Sequence, residues 1–159
     1  SMVVEKNDYG IDHFSAYQTF FNKKPKAIDS LFYVHTYFTD KESGKEVSKL
    51  EAGRPVTMHV EVNVKRAGEY LMLEVPIPSS CSYAEKPTGY YNSGYGCYRE
   101  YFREKTAFYF RNLSRRRYNF SIELLPRYTG SFTVNSARIE SMYFPVLAGQ
   151  NEIGRVLVK

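Results

Sequence analysis

The stretch Val56-Thr57-Met58-His59-Val60-Glu61-Val62-Asn63-Val64-Lys65 decides the fold. Every even position is apolar and every odd one polar, a period of two sustained over ten residues. Side chains alternate across a strand, so this pattern predicts a strand with one buried and one wet face. Leu50-Glu51-Ala52-Gly53-Arg54-Pro55 precedes it as a turn punctuated by Gly and Pro. Downstream, Ala67-Gly68-Glu69 turns the chain into Tyr70 to Val75, with Leu71, Leu73, Val75 and Ile77 on one face.

The same rule extends outward. Phe108 and Phe110 share a side of a strand over Thr106 to Phe110. Tyr118, Phe120, Ile122 and Leu124 point inward from Tyr118 to Leu124, with Ser121 and Glu123 outward. Ser131 to Val134, Ala137 to Met142 and Gly154 to Val158 are shorter candidates, and Leu31 to Thr39 is rich in aromatic and β-branched residues. Short strands separated by Gly, Pro, Asn and Ser predict an antiparallel β-sandwich with Greek-key connections. His13 to Lys24 carries clustered aromatics and fits either a short helix or a strand. Ser79 to Tyr101 breaks the strand rhythm and reads as a long Tyr-, Gly- and Ser-rich insertion.

Composition agrees. The 159 residues include 15 Tyr and 11 Phe but no Trp, and such aromatics favour strands. That length suits one domain. The net charge of +5 is spread along the chain and does not imply nucleic acid. No run of 18 apolar residues occurs, so no membrane-inserting helix is expected. Ser1-Met2 reads as a vector remnant, residues 1–26 as a lead-in from a preceding domain, and residues 27–159 as the sandwich. Cys81 and Cys97 enclose 15 residues, a spacing that permits one disulfide in an oxidising compartment. Such a bridge would pin the insertion by about 3 kcal/mol.

Catalytic signatures are missing. His13, His35 and His59 are scattered, so neither a metal site nor a cofactor is expected. There is no G-x-S-x-G elbow, P-loop or dinucleotide-binding glycine motif. Arg115-Arg116-Arg117 falls where two strands should be joined and reads as a solvated turn. Tyr83, Tyr90, Tyr91, Tyr95, Tyr98 and Tyr101 form either a recognition surface or a cover for one edge of the sandwich.

Taken in order, these segments resemble the C-terminal macroglobulin-like domain of the bacterial alpha-2-macroglobulin family. The resemblance is carried by Leu50-Glu51-Ala52-Gly53-Arg54-Pro55-Val56, by Tyr70-Leu71-Met72-Leu73-Glu74-Val75-Pro76-Ile77-Pro78-Ser79, by Arg99-Glu100-Tyr101 and by Thr106-Ala107-Phe108-Tyr109-Phe110. It continues through Tyr118 to Pro126 and Thr129-Gly130-Ser131-Phe132. It ends on Ala137-Arg138-Ile139-Glu140-Ser141-Met142-Tyr143-Phe144-Pro145, similar to the family's A-x-x-E-x-M-Y-x-P. Pro76, Val146, the insertion and the basic turn depart from the family pattern.

The resemblance implies a non-enzymatic domain of a large periplasmic or outer-envelope protease inhibitor. Its partners would be other domains of the parent chain and, through the full-length protein, target proteases. The family's C-x-E-Q thioester motif is absent from this sequence. By carry-over, Met142, Tyr143, Phe144 and Pro145 would dock against a thioester-bearing domain and keep water from it. A carbohydrate-binding module or a cell-surface adhesion module are the competing expectations, and a hydrolase is the least expected.

Overall fold

The structure, a computed structural model, describes residues 24–87, 89–91 (backbone only) and 96–159. Among these residues thirteen strands and no helix occur. They are β1 (Phe32–Asp40), β2 (Lys49–Leu50), β3 (Val56–Val64), β4 (Gly68–Pro76), β5 (Cys81–Tyr83), β6 (Gly89–Tyr91) and β7 (Cys97–Tyr101). After these come β8 (Lys105–Leu113), β9 (Arg117–Pro126), β10 (Gly130–Val134), β11 (Arg138–Ser141), β12 (Ala148–Gln150) and β13 (Gly154–Val158). His13 to Lys24, the stretch compatible with a short helix or a strand, lies outside the described residues but for Lys24.

Three sheets form, in the orders β1-β3-β9-β5, β10-β13-β2 and β12-β11-β4-β8-β7-β6. All pairs are antiparallel except β13 with β2. Consecutive strands swap sheets at β3 to β4 and at β8 to β9. The six-stranded sheet faces the four-stranded one across an aromatic layer. There the Phe120 ring lies 5.0 Å from that of Phe108 and 5.4 Å from that of Phe110. Leu50, Val134, Val156 and Val158 bring the small sheet into the same core.

The alternation in β3 works as its sequence dictates. Val56, Met58, Val60, Val62 and Val64 are all buried, because this central strand has β1 on one side and β9 on the other. Leu71, Leu73, Val75 and Ile77 of the β4 region, and Tyr118, Phe120, Ile122 and Leu124 of β9, are buried as expected. Arg115 and Arg116 lie exposed in the turn between β8 and β9, with the Arg116 guanidinium 4.7 Å from the centre of the Tyr118 ring.

Within the insertion, the described residues of 79–101 form three short strands: β5 pairs with β9, β6 with β7, and β7 with β8. Pairing satisfies the backbone groups that a long loop would leave to solvent. The structure does not join the two cysteines whose spacing permits a disulfide. Cys81 and Cys97 are free thiols, Cys81 opposite Pro126 in the four-stranded sheet and Cys97 opposite Phe110 in the six-stranded one. Burial pushes both thiols above their ordinary pKa, which makes them poor nucleophiles at neutral pH.

Arg99 shows how β7 was hidden. Its side chain is buried, stacks 4.6 Å from the Phe108 ring centre and donates from Nη1 to the Ser121 carbonyl at 3.2 Å. β5 pairs with β9 from Leu124 to Pro126, and the Ala84 amide continues to the Glu123 carbonyl. Arg99 satisfies the next carbonyl along that edge, tying the two large sheets together.

Asp40 ends β1 with a charged anchor. Its Oδ1 accepts from the Ser43 amide and hydroxyl, both at 2.7 Å, and Oδ2 lies 2.9 Å from Arg54 Nε. The Ser43 amide, the Ser43 hydroxyl and the Arg54 charge hold the carboxyl below its ordinary pKa. A depressed carboxylate stabilises the fold above its unfolded-state pKa of about 3.9 and loses that contribution as pH falls through the folded value. Asp40→Asn is therefore expected to flatten the acid limb of a stability-against-pH curve below about pH 4, measured by urea unfolding at several pH values. An unchanged limb would contradict this role.

Candidate docking surface

Between β11 and β12 the chain leaves the core. Met142 is 50% exposed, Tyr143 68%, Phe144 65% and Val146 87%. Pro145 is exposed as well. The neighbouring strand residues Ile139 and Ala148 are buried, so the apolar side chains of this loop turn outward where those of the strands turn inward.

The loop is held by its backbone. The Ser141 amide donates to the Leu147 carbonyl at 3.0 Å, and the Leu147 amide to the Phe144 carbonyl at 2.8 Å. That second bond closes a tight turn with Pro145 at its second position, where the fixed proline φ is favourable. Ser141 Oγ accepts from the Phe144 amide at 3.3 Å. Arg138 braces the base: Nε donates to Glu140 at 2.6 Å, Nη1 to Gln150 Oε1 at 3.0 Å and Nη2 to the Pro145 carbonyl at 3.4 Å. A loop ordered in this way loses little freedom on binding.

A groove of about 640 Å³ runs beside the loop. Leu31, Phe32, Leu71, Tyr143, Phe144 and Leu147 supply most of its apolar wall, with Arg66 and Glu69 also lining it. Tyr70 lines it too and meets the Tyr143 ring edge to face, centroids 5.2 Å apart at 77°. Tyr70 has φ 50°, the only positive φ outside glycine among the described residues. A bulky residue held in that region costs on the order of 1–3 kcal/mol, which surrounding structure must offset.

The structure therefore brings Met142, Tyr143, Phe144 and Pro145 together on one exposed loop. Sequence reasoning missed Tyr70 and Leu147, the residues that make the loop one wall of a groove. Tyr70 reads as the first residue of an ordinary strand, and no sequence signal betrays its left-handed backbone.

Other candidate surfaces carry less. Tyr83 and Tyr101 meet edge to face at 4.9 Å, and the Tyr83 hydroxyl accepts from Thr106 Oγ1 at 3.1 Å, so both rings help close the space between sheets. Tyr98 is exposed beside Tyr109. Tyr95 and the side chains of Tyr90 and Tyr91 lie outside the described residues, as does His13. A row of rings, Tyr33, His35, Tyr37 and His59, runs over the outer face of β1 and β3 with successive centroids 6.5, 5.7 and 4.8 Å apart and planes within 25°. These faces turn toward one another rather than outward, unlike the open ring platform a sugar stacks on. Among the described residues no group of three or more His, Cys, Asp or Glu could hold a metal ion, and no helix is long and apolar enough to cross a membrane.

The family model of the bacterial alpha-2-macroglobulin MG10 domain matches residues 32–145, from β1 to Pro145 of the loop. Salmonella alpha-2-macroglobulin reacted with methylamine superposes with a TM-score of 0.73 at 11% identity, covering 85% of this chain and 10% of that one. Native Escherichia coli alpha-2-macroglobulin from domain MG7 to the C-terminus gives a TM-score of 0.71 at 10% identity, covering 85% and 24%. A cohesin module from a Clostridium perfringens family 33 glycoside hydrolase gives 0.50 at 8% identity, covering 81% and 97%. No curated protein matches the chain in sequence. The chain thus spans a tenth to a quarter of the two alpha-2-macroglobulin structures, whose likeness at such identities is one of fold. The family model reaches well over half of its residues, and the chain belongs to the bacterial alpha-2-macroglobulin MG10 domain family.

Proposed function

We propose that this chain is a non-catalytic docking domain of an alpha-2-macroglobulin-type protease inhibitor, and that the loop 142–147 is the surface it presents to another domain of the parent chain. The observation that carries the reading is the outward turn of Met142, Tyr143 and Phe144 on a loop whose backbone is already hydrogen-bonded. Aromatic residues and Met are enriched at the centres of protein interfaces. A contiguous exposed apolar patch marks a binding surface more often than it marks idle surface.

In this reading the loop covers a thioester carried by the neighbouring domain. A thioester hydrolyses when water reaches it, so an apolar aromatic cover preserves it until a protease triggers rearrangement. Tyr supplies a broad apolar face with a polar tip, and Met adapts to an irregular partner. The inhibitor would act in the periplasm or at the outer envelope and meet proteases through its full length.

The test uses a full-length parent protein that carries C-x-E-Q. Tyr143→Ser combined with Phe144→Ser is expected to speed methylamine incorporation into the thioester by about tenfold or more, since the exposed pair contributes apolar cover and little folding stability. Incorporation at the unaltered rate would show that the loop shields nothing.

A further inference from the structure

Tyr70 is out of place as an ordinary strand residue. The ladder of β4 on β8 keeps one register on both sides of it, Glu69 opposite Asn112 and Leu71 opposite Phe110, but skips Tyr70 itself. Its φ of 50° is a conformation that glycine, asparagine and aspartate adopt far more readily than tyrosine. Two contacts converge on it from the docking loop. Its carbonyl accepts the Met142 amide at 2.8 Å, just past the point where Leu71 pairs with Ser141. Its ring, 42% exposed, meets the edge of Tyr143.

We propose that Tyr70 is the positioning residue of the docking loop: its carbonyl carries the β4–β11 pairing on to Met142, and its left-handed backbone sets the ring as a buttress behind Tyr143. This rests on the docking reading for its purpose but not for its geometry. Tyrosine stands where a glycine would relieve the backbone, and its ring has a task there. It holds the exposed Tyr143 in one orientation, so that the loop meets its partner already shaped. Strain kept at the exposed end of β4, against the loop rather than inside the core, fits a site shaped for recognition rather than for stability.

Tyr70→Asn tests this, because asparagine tolerates the left-handed backbone while removing the ring. Tyr70→Phe keeps the ring. Hydrogen exchange is read at Met142 and Leu147 in the 159-residue chain, with Val60 and Ile122 in the core as controls. Docking is read separately in the full-length parent protein, as oxidation of Met142. With Tyr70→Asn, protection at Met142 and Leu147 is expected to fall about tenfold or more while Val60 and Ile122 are unchanged, and Tyr70→Phe is expected to match the native chain. Unchanged exchange at Met142 and Leu147 would overturn the proposal. So would an equal loss of protection at Val60 and Ile122, which would make Tyr70 a merely structural residue. Local loosening with no change of Met142 oxidation in the parent would uphold the positioning role and overturn the docking reading instead.

Discussion

Gly149→Ala is expected to cost about 3 kcal/mol or more of folding stability, read as a lower urea midpoint with the slope preserved. Gly149 sits in β12, opposite Ile139 of β11. A Cβ built there would lie 2.2 Å from the Phe32 carbonyl oxygen, 2.6 Å from Phe32 Cβ and 2.8 Å from the Phe32 carbonyl carbon. Two of these three atoms are backbone, so no rotamer change makes room. The end strand of the six-stranded sheet and the end strand of the four-stranded one must move apart where they close the sandwich. The paired hydrogen bonds between Ile28 and Gln150, at 2.8 and 2.9 Å, flank this closure and would be disturbed with it. Gly154→Ala is the control. There the nearest atom to a new Cβ is Val134 Cβ at 3.8 Å, an ordinary contact, and the change is expected to stay within about 1 kcal/mol. Equal behaviour of the two variants would contradict the close approach of β12 to β1.

Phe108→Ala is expected to cost about 3–5 kcal/mol, the range for deleting a fully buried aromatic ring. Phe108 has no exposed surface. Its ring touches Phe120 across the sandwich and lies under the Arg99 guanidinium. Truncation opens a cavity between the sheets and takes away the face on which a buried cation rests, so transfer, packing and cation–π contributions are lost together. Met142→Ala, on the exposed loop, is expected to change stability by no more than about 0.5 kcal/mol. If Met142→Ala proved as damaging as Phe108→Ala, the loop would be part of the core and not a surface held ready for a partner.

The contrast between these sites follows what can be read in the sequence. β3, β4 and β9 are legible because each lies within a sheet with one dry and one wet face, so the period of two runs the length of β3 and β9 and from Leu71 onward in β4. β7 is not, because Arg99 stands at an inward position and breaks the apolar alternation. Only the structure shows the Phe108 face and Ser121 carbonyl that make a buried cation tolerable there. β2 is two residues inside what reads as a turn, and β12 is Ala-Gly-Gln, too short and too small for periodicity to register. The Cys81 and Cys97 spacing suggested a bridge because spacing does not tell which sheet each cysteine joins. In the sequence the loop 142–147 stands out only through its resemblance to a family motif, not through any physical signal in Met142-Tyr143-Phe144-Pro145. The same four residues would equally serve as the end of a buried strand. Their exposure depends on the Pro145 turn and the Arg138 brace, and Tyr70 enters only through a backbone angle.

A docking domain has the loop 142–147 covered in the intact protein. Hydroxyl-radical footprinting of Met142, Tyr143 and Phe144 measures this side chain by side chain, in the 159-residue chain and in the full-length parent protein. Burial in an interface is expected to slow oxidation of all three by about tenfold in the parent, with Tyr33 on the opposite sheet serving as internal reference. Equal oxidation rates in the two proteins would mean that nothing docks on this loop.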